Sequence, residues 1–255
     1  MLTNQEYKAR LRELKNYLHF MKDYGYTEIP GQVELTSTPT SQEKPSSGNQ
    51  PDISSGSSMT RPKTQKKEAE HLLEQVRAEL GDCSRCKLSQ GRQTIVFGSG
   101  NPQADLVFVG EGPGADEDEQ GLPFVGRAGK KLTEIIEKGM GLNREKDTYI
   151  CNIVKCRPPG NRDPEADEIS SCNPFLIKQL QAIQPKVLVA LGKPAASTLL
   201  GRSVAITKER GTWHEYAGIK LMLTLHPAYL LRAYTVENRR AVLDDMKKVL
   251  KALKA

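Results

Sequence analysis

Residues 104–129 read ADLVFVGEGPGADEDEQGLPFVGRAG, and this stretch decides the fold. The apolar run 106–109 is typical of a buried parallel strand. Glycines at positions 110, 112 and 114 follow it and let the backbone turn sharply and approach a ligand closely. Ligands of open α/β sheets bind at the carboxyl ends of the strands. We therefore expect the loop that follows this strand to hold the active site.

Strands and helices alternate along the rest of the chain. The hydrophobic patterns predict four strands, at 105–110, 148–154, 186–191 and 219–225. Helices are predicted between and after them, at 128–140, 165–183, 193–200 and 236–253. Because such alternation arises when helices connect parallel strands, the sequence predicts an α/β fold with a mainly parallel sheet that is covered on both faces.

The first third of the chain has a different composition. Apolar side chains recur at helical spacing over residues 4–24, which predicts an amphipathic helix within the segment 1–33. They are Tyr7, Leu11, Leu14, Leu18 and Met21. Residues 34–66 are rich in Ser, Thr, Pro, Gly and Gln, have almost nothing to bury, and predict a disordered linker. The folded domain should span 67–255, and the first helix either packs on it or binds another protein.

Length, net charge and apolar segments limit the class of protein to which the chain can belong. The chain has 255 residues, with 37 Lys and Arg against 31 Asp and Glu, a net charge of +6. This balance suits a polyanionic partner but is not specific for one. No stretch approaches the roughly 20 apolar residues of a membrane span, and the first residues lack the core of a signal peptide. We expect a cytoplasmic monomer that binds no membrane.

Four of the five cysteines are candidate metal ligands. Cys83 and Cys86 form a C-x2-C pair, a spacing that lets both thiolates bind one metal or cluster. Cys156, after the second strand, and Cys172, on the next helix, could complete a set of four. Zinc and an iron–sulfur cluster both fit such a set, and simple burial of Cys156 and Cys172 is the plainer alternative. Cys151, inside a strand, should belong to the core.

The glycine loop, residues 110–114, superficially resembles a dinucleotide-binding loop. It lacks the third glycine at the required spacing, and the acidic run 116–119 would repel a pyrophosphate. A magnesium site or a carboxylate that acts on water fits better. Glu111, immediately at the strand end, is the candidate for either role.

Two further polar side chains end predicted strands. Asn152 lies among β-branched residues, where an amide is costly to bury unless it is paired. Its donor and acceptor lie side by side, as on the edge of a nucleobase, although a hydrogen bond within the core would also satisfy it. His226 ends the fourth strand. Because parallel strands end at one edge of the sheet, Glu111, Asn152 and His226 should converge.

Five motifs, in order, resemble the family 4 uracil-DNA glycosylases, the iron–sulfur type found in bacteria and archaea. They cover about residues 75–250 and comprise Cys83-x2-Cys86, GEGPGADEDEQGLPFVGRAG (110–129), NIVKCRPPGNR (152–162), Cys172-x2-Phe175-Leu176 and HPAYLLR (226–232). The resemblance implies a three-layer α/β/α sandwich with a central four-stranded parallel sheet. It also implies a 4Fe–4S cluster held by Cys83, Cys86, Cys156 and Cys172.

The resemblance further implies a reaction. The enzyme would flip uracil out of double- or single-stranded DNA, hydrolyse its N-glycosidic bond and leave an abasic site for base excision repair. Phe124 would stack on the uracil, Asn152 would pair with it, and His226 would donate to its O2. The whole uracil pocket of the family corresponds here to Gly110, Glu111, Gly112, Phe124, Asn152 and His226.

Other roles implied by the resemblance are less sharply assigned. Either Glu111 or Glu117 would position water or stabilise the sugar cation. Leu230 would fill the space that the flipped base leaves, and Arg232 would contact a phosphate. Gly112 departs from the family, in which alanine is more usual at this position, and we expect the effect of that change to be small.

Two alternatives concern the function. A related glycosylase traps its abasic product covalently, but it has an extra basic loop with a histidine after the second strand, whereas loop 157–164 here is short and has none. A non-catalytic iron–sulfur module could bind DNA and attach to replication or repair proteins through the segment 1–33. The intact Glu111, Asn152 and His226 favour the enzyme.

Overall fold

The computed structural model describes residues 63–254 and four positions nearer the N terminus, Tyr7, Lys8, Leu11 and Lys15. Those four positions are helical, and their side chains are exposed. The remainder of the predicted N-terminal helix and the predicted linker as far as residue 62 lie outside the described residues. Helix α1 (Lys63–Leu80) begins four residues inside the segment assigned to the linker.

Between residues 63 and 254, six strands form one mixed sheet. In chain order they are β1 (Ser99–Gly100), β2 (Leu106–Gly110), β3 (Thr148–Asn152), β4 (Val187–Leu191), β5 (Trp213–Tyr216) and β6 (Ile219–Thr224). Their order across the sheet is β1-β3-β2-β4-β6-β5. The four central strands are parallel, and the register of β2 and β3 sets Gly110 opposite Asn152.

The central part of this sheet confirms the predicted four parallel strands, and two antiparallel edge strands are additional. β1 has only two residues, and β5 reads WHEY, in which no residue is fully buried. Neither segment has the apolar run by which the other strands are recognised, because an edge strand is not covered on all sides. The predicted strand 148–154 ends at Asn152, since the next two N–H groups bind the carbonyls of Gly110 and Glu111.

Helices connect the strands and cover both faces of the sheet. After α1 they are α2 (Ala115–Gln120), α3 (Arg127–Glu134), α4 (Arg144–Asp147), α5 (Ala166–Ile183), α6 (Lys193–Leu200), α7 (Ile206–Glu209), α8 (Pro227–Arg232) and α9 (Val236–Leu253). A wider turn of helix, Ile135–Gly139, prolongs α3, so the four predicted helices are all present. None of the helices that the structure describes is long and apolar enough to cross a membrane.

Side chains of the central strands alternate between two cores. On β2, Val107 and Val109 face a core shared with α1, α5 and α6, whereas Leu106 and Phe108 face a core shared with α3 and α9. All four are essentially inaccessible to solvent. The alternation follows from the two-residue period of a strand, and it produces the predicted three-layer α/β/α sandwich.

Candidate active site

A cavity of about 770 Å³ opens at the carboxyl ends of the parallel strands. Segments that follow all four of these strands line it, as expected for an open α/β sheet. The lining residues of these segments are 111–117 after β2, 158 and 161–163 after β3, 192–194 after β4, and 225, 226, 228, 229, 231 and 232 after β6, and Phe124 and Asn152 also line the cavity. Glu111, Asn152 and His226 therefore share one cavity, as the convergence of strand ends predicts.

The floor of the cavity is built around Asn152, which is 1% exposed. Its Oδ1 is buried and has no hydrogen-bond partner in the structure. A buried acceptor without a donor costs roughly 1–3 kcal/mol, so this atom is arranged for a donor supplied by a ligand. Gly110 makes the arrangement possible, because a Cβ there would lie 2.5 Å from Cζ of Phe124 and would also overlap Oδ1 of Asn152.

Two aromatic rings form a wall of the cavity. The rings of Phe124 and His226 have centroids 5.7 Å apart and are tilted by 38°. Phe124 is 6% exposed. Gly192, with φ of +87°, allows the close approach of His226, since a Cβ at this glycine would lie 2.9 Å from the histidine Cβ. Aromatic faces such as these stack well on a planar ligand.

The protonation state of His226 follows from its surroundings. Its Nδ1 accepts a hydrogen bond from the backbone N–H of Ala228 at 3.1 Å, so a neutral ring carries its proton on Nε2. Burial, together with the smaller effect of the positive charge of Arg232, lowers the pKa of His226 to about 4. The imidazole is therefore neutral at pH 7 and offers Nε2–H as a donor.

The pKa of Glu111 is shifted in the opposite direction. Burial raises the pKa of Glu111 to about 7, and the neighbouring carboxyl of Asp163, which hydrogen-bonds to it, adds to the increase, whereas Arg232 opposes it. A carboxyl group with this pKa is poised near neutrality, which is the range that general bases use. The sequence indicated Asp163 only as a helix cap, a position that Glu165 takes in the structure, because nothing in its loop indicated that it returns to the strand end.

Glu117, the other candidate carboxylate, accepts hydrogen bonds from the backbone. Its oxygens accept hydrogen bonds from the N–H groups of Gly114 (3.1 Å), Val125 (2.9 Å) and Gly126 (2.8 Å). These bonds join the glycine loop to the turn that carries Phe124. Charge-assisted bonds of this kind are strong, and three of them occupy most of the capacity of a carboxylate.

The structure corrects the prediction for Leu230. This side chain is 0% exposed and belongs to the core shared with α3 and α9, so it cannot enter DNA. Leu231 is 41% exposed and lines the cavity, as does the exposed Arg232. The two adjacent leucines could not be distinguished from the sequence, because the orientation of a six-residue helix is set by its packing.

Gly112, the other glycine of the predicted pocket, also lines the cavity. A Cβ at this position would lie 2.9 Å from Cγ2 of Val154 and 3.6 Å from Cδ of Pro158. An alanine would therefore require only a small adjustment of a valine methyl group. The geometry agrees with the small effect that the sequence analysis expects.

Four free cysteines lie where α1, the loop after β3 and α5 meet. Cys156 is near enough to Cys86 and Cys172 for their charges to interact, as Cys172 is to Cys83 and Cys86. Sγ of Cys172 accepts the N–H of Lys155 at 3.3 Å. No group of three or more His, Cys, Asp or Glu side chains within residues 63–254 is placed to hold a metal ion.

Arg92 joins two of these cysteines. Its Nη1 donates to the carbonyl oxygen of Cys83 at 2.6 Å and to Sγ of Cys156 at 3.5 Å. Burial raises the pKa of the Cys156 thiol to about 11, and Arg92 acts against this increase. Donors directed at sulfur are typical of the surroundings of bound thiolates. Cys151, by contrast, is a fully buried core residue.

Comparison with known proteins agrees with this geometry. The family model described as the uracil DNA glycosylase superfamily matches residues 97–254. The type-4 uracil-DNA glycosylase of Thermotoga maritima is 47% identical over 187 residues, 72% of this chain and 96% of that protein. The type-4 enzymes of Saccharolobus solfataricus and Archaeoglobus fulgidus are 43% and 40% identical, over 71% and 69% of this chain and 86% and 91% of their own lengths.

Proposed function

The chain belongs to the uracil DNA glycosylase superfamily, and from this premise we propose that it is a type-4 uracil-DNA glycosylase. It hydrolyses the N-glycosidic bond between uracil and deoxyribose in DNA. The products are free uracil and an abasic site, with which base excision repair begins. The observation that carries the proposal is the unpaired, buried Oδ1 of Asn152 beside the rings of Phe124 and His226.

The substrate base must leave the duplex to reach this cavity. Flipping costs a few kcal/mol and is least costly for a mismatched base or a single strand. Leu231 fills the space that the base vacates, since it is the exposed leucine at the cavity. Three exposed cations at the cavity suit the phosphates on either side of the flipped nucleotide, namely Arg127, Lys193 and Arg232.

Asn152 distinguishes uracil from cytosine. Its Oδ1 accepts the N3–H of uracil, and its amide N–H donates to O4. Cytosine has the opposite order of donor and acceptor on this edge, so it would leave buried polar groups unpaired, which is the stronger form of discrimination. Phe124 stacks on the base, and Gly110 leaves room for it.

Cleavage places negative charge on the uracil and positive charge on the sugar. Nε2–H of the neutral His226 donates to O2, where the negative charge develops, and backbone amides near Gly112 assist. Ionised Glu111 orients the attacking water and stabilises the sugar cation. We assign this role to Glu111 rather than Glu117 because three backbone N–H groups already engage the carboxylate of Glu117.

Cys83, Cys86, Cys156 and Cys172 hold a 4Fe–4S cluster in this proposal. The contacts of Lys155 and Arg92 with sulfur fit this assignment. These four thiolates would be the ligands of the cluster, and thiolates are the ligands that such clusters take. When bound, the cluster cross-links the end of α1, the loop after β3 and α5.

The protein acts as a cytoplasmic monomer on DNA in this proposal. The segment 1–33 offers a site for a replication or repair protein, which the exposure of Tyr7 (57%) and Leu11 (47%) supports. Membrane binding has no part in the proposal.

One experiment tests the proposed activity. The cluster-loaded protein, recognised by its iron content, is incubated with oligonucleotides that differ only in uracil or thymine, and abasic sites are measured after alkali. We expect cleavage of the uracil strand alone, and a loss of at least about 100-fold in Asn152→Ala. An inactive wild-type protein contradicts the function, whereas an active Asn152→Ala contradicts the pocket.

A further inference from the structure

The backbone at Phe124 has an unusual conformation. Its φ is +54°, in the left-handed region that bulky side chains rarely occupy. Such a residue is disfavoured in isolation and persists only where the surrounding structure holds it. Groups around this turn must therefore stabilise its conformation.

Arg144, at the start of α4, binds two successive carbonyl groups of the turn. Its Nη2 donates to the oxygen of Pro123 at 2.8 Å, and its Nη1 donates to the oxygen of Phe124 at 2.9 Å. Nη1 also donates to Oγ1 of Thr133 on α3 at 2.6 Å. The side chain of Arg144 is only 12% exposed. A planar fork that binds two carbonyls fixes their relative orientation, which an ammonium could not do.

The other side of the turn is held by opposite charge. The carboxylate of Glu117 accepts the N–H groups of Val125 and Gly126, immediately after Phe124. Gly129, below the turn, has no space for a side chain, because a Cβ there would overlap the carbonyl of Phe124. The turn is thus clamped by a cation on its carbonyls and an anion on its amides.

We propose that Arg144 is a positioning residue for uracil recognition, which fixes the Phe124 turn so that the ring stands beside His226 where the flipped base stacks. This inference rests on the proposed function. Without the guanidinium, two carbonyls lose their donors and the turn relaxes toward negative φ, which moves the ring. The stacking of uracil weakens, whereas contacts with DNA phosphates are unaffected, because Arg144 does not line the cavity.

Binding measurements test this proposal with the full-length, cluster-loaded protein. One duplex carries 2′-fluoro-2′-deoxyuridine, which resists hydrolysis, and a matched duplex carries a tetrahydrofuran abasic analogue. We expect Arg144→Met to bind the fluorouridine duplex about tenfold more weakly and the abasic duplex within about twofold of wild type. Arg144→Lys, which can reach one carbonyl, should be intermediate and serves if Arg144→Met does not fold.

A matched control comes from another partly buried arginine. Arg210 binds the backbone carbonyl of Ala241 and the carboxylate of Asp245, and it does not itself line the cavity. Arg210→Met should lower the melting temperature but leave the ratio of the two affinities unchanged. An equal change of this ratio in the Arg210 and Arg144 variants would show a general loss of structure and would overturn the proposal.

A double-mutant cycle asks whether Arg144 acts through Phe124. In the Phe124→Ala background, Arg144→Met should slow single-turnover excision by no more than about twofold further. Additive losses would overturn the proposal, as would wild-type affinities in both Arg144 variants. If the wild-type protein binds fluorouridine and thymidine duplexes equally well, the proposed function fails and this inference fails with it. If the wild-type protein binds the fluorouridine duplex more tightly, the variants test the role of Arg144 alone.

Discussion

At the scale of single residues, burial prepares two side chains of the cavity for different tasks. It disfavours the charged form of each, and so it raises the pKa of Glu111 to about 7 and lowers the pKa of His226 to about 4. The histidine stays neutral and able to donate throughout the physiological range. The glutamic acid changes its charge within that range and should control activity.

The dependence of excision on pH follows from these directions. In the proposed mechanism ionised Glu111 is the active form, so the single-turnover rate should rise with pH and level off above about 7. Below that value it should fall about tenfold for each pH unit. His226 should add no second transition until the pH approaches 4. The measurement is a rate profile from pH 5 to 9 on one uracil-containing strand.

Variants of two carboxyl groups identify the source of this transition. Because the carboxyl of Asp163 raises the pKa of Glu111, Asp163→Asn should move the midpoint to lower pH. Glu111→Gln should be slow at every pH and lose the transition. A midpoint that stays near 7 in Glu111→Gln would assign the titration to another group and contradict the role given to this glutamate.

The polar residues at the strand ends can be recognised in the sequence, but the contacts of every side chain cannot. Asn152 could be singled out because an amide among β-branched residues needs a partner, and its Oδ1 is buried without a protein partner. The engagement of Glu117 by the N–H groups of Val125 and Gly126 could not be predicted. It depends on how two loops fold against each other, which no local pattern records.

At the scale of secondary structure elements, α8 separates a structural leucine from an exposed one. Leu230 points into the core beneath the sheet, and Leu231 points toward the cavity mouth. About 3.6 residues per turn place neighbours about 100° apart, so adjacent leucines have different surroundings. The two positions therefore provide a matched pair of variants within one helix.

Substitution of these leucines should produce opposite phenotypes. Leu230→Ala removes a fully buried side chain and should lower the free energy of unfolding by about 2–5 kcal/mol. Leu231→Ala should change it by less than about 0.5 kcal/mol but slow excision from duplex DNA more than from a single strand, because only the duplex leaves a gap to fill.

Thermal unfolding and excision from paired and single-stranded substrates measure both effects. A Leu231→Ala protein that excises uracil from duplex DNA at the wild-type rate would remove the wedge role from this side chain. Equal losses on duplex and single-stranded substrates would do the same, because they would indicate a defect inside the pocket.

The elements differ in how strongly the sequence records them. The four parallel strands are largely buried on both faces, so most of their residues are apolar, and all four were predicted. β1 and β5 are edge strands whose pairing depends on β3 and β6 being present. Their residues carry no pattern of their own, and only the assembled sheet makes them strands.

At the scale of the whole molecule, one short segment joins the uracil pocket to the cysteines. Asn152 ends β3 in the pocket, and Cys156 lies four residues later at the cysteine group. Between them Lys155 is 1% exposed; its Nζ donates to the carbonyl of Asn152 at 2.7 Å, and its N–H donates to Sγ of Cys172. Lys155 therefore contacts both the backbone of Asn152 and one of the four cysteines.

Truncated chains can show which residues are needed for folding and for uracil excision. The Thermotoga maritima relative is matched over 96% of its length by 72% of this chain, and the fold described begins at Lys63. We expect a chain that starts at Lys63 to melt within about 2 °C of the full-length protein and to excise uracil at a similar rate. Its iron content should also be unchanged.

A chain that starts at Asp82 provides the contrasting case. It lacks α1, whose Leu73, Val76 and Leu80 are at most 7% exposed in the core. Each buried side chain of this size stabilises the fold by about 1.5–3 kcal/mol, so the loss approaches the 5–15 kcal/mol that stabilises a typical domain. Removal of α1 also frees the segment that holds Cys83. We expect low iron content, a much lower melting temperature and loss of excision, whereas a stable, iron-loaded protein from Asp82 onward would exclude α1 from the domain.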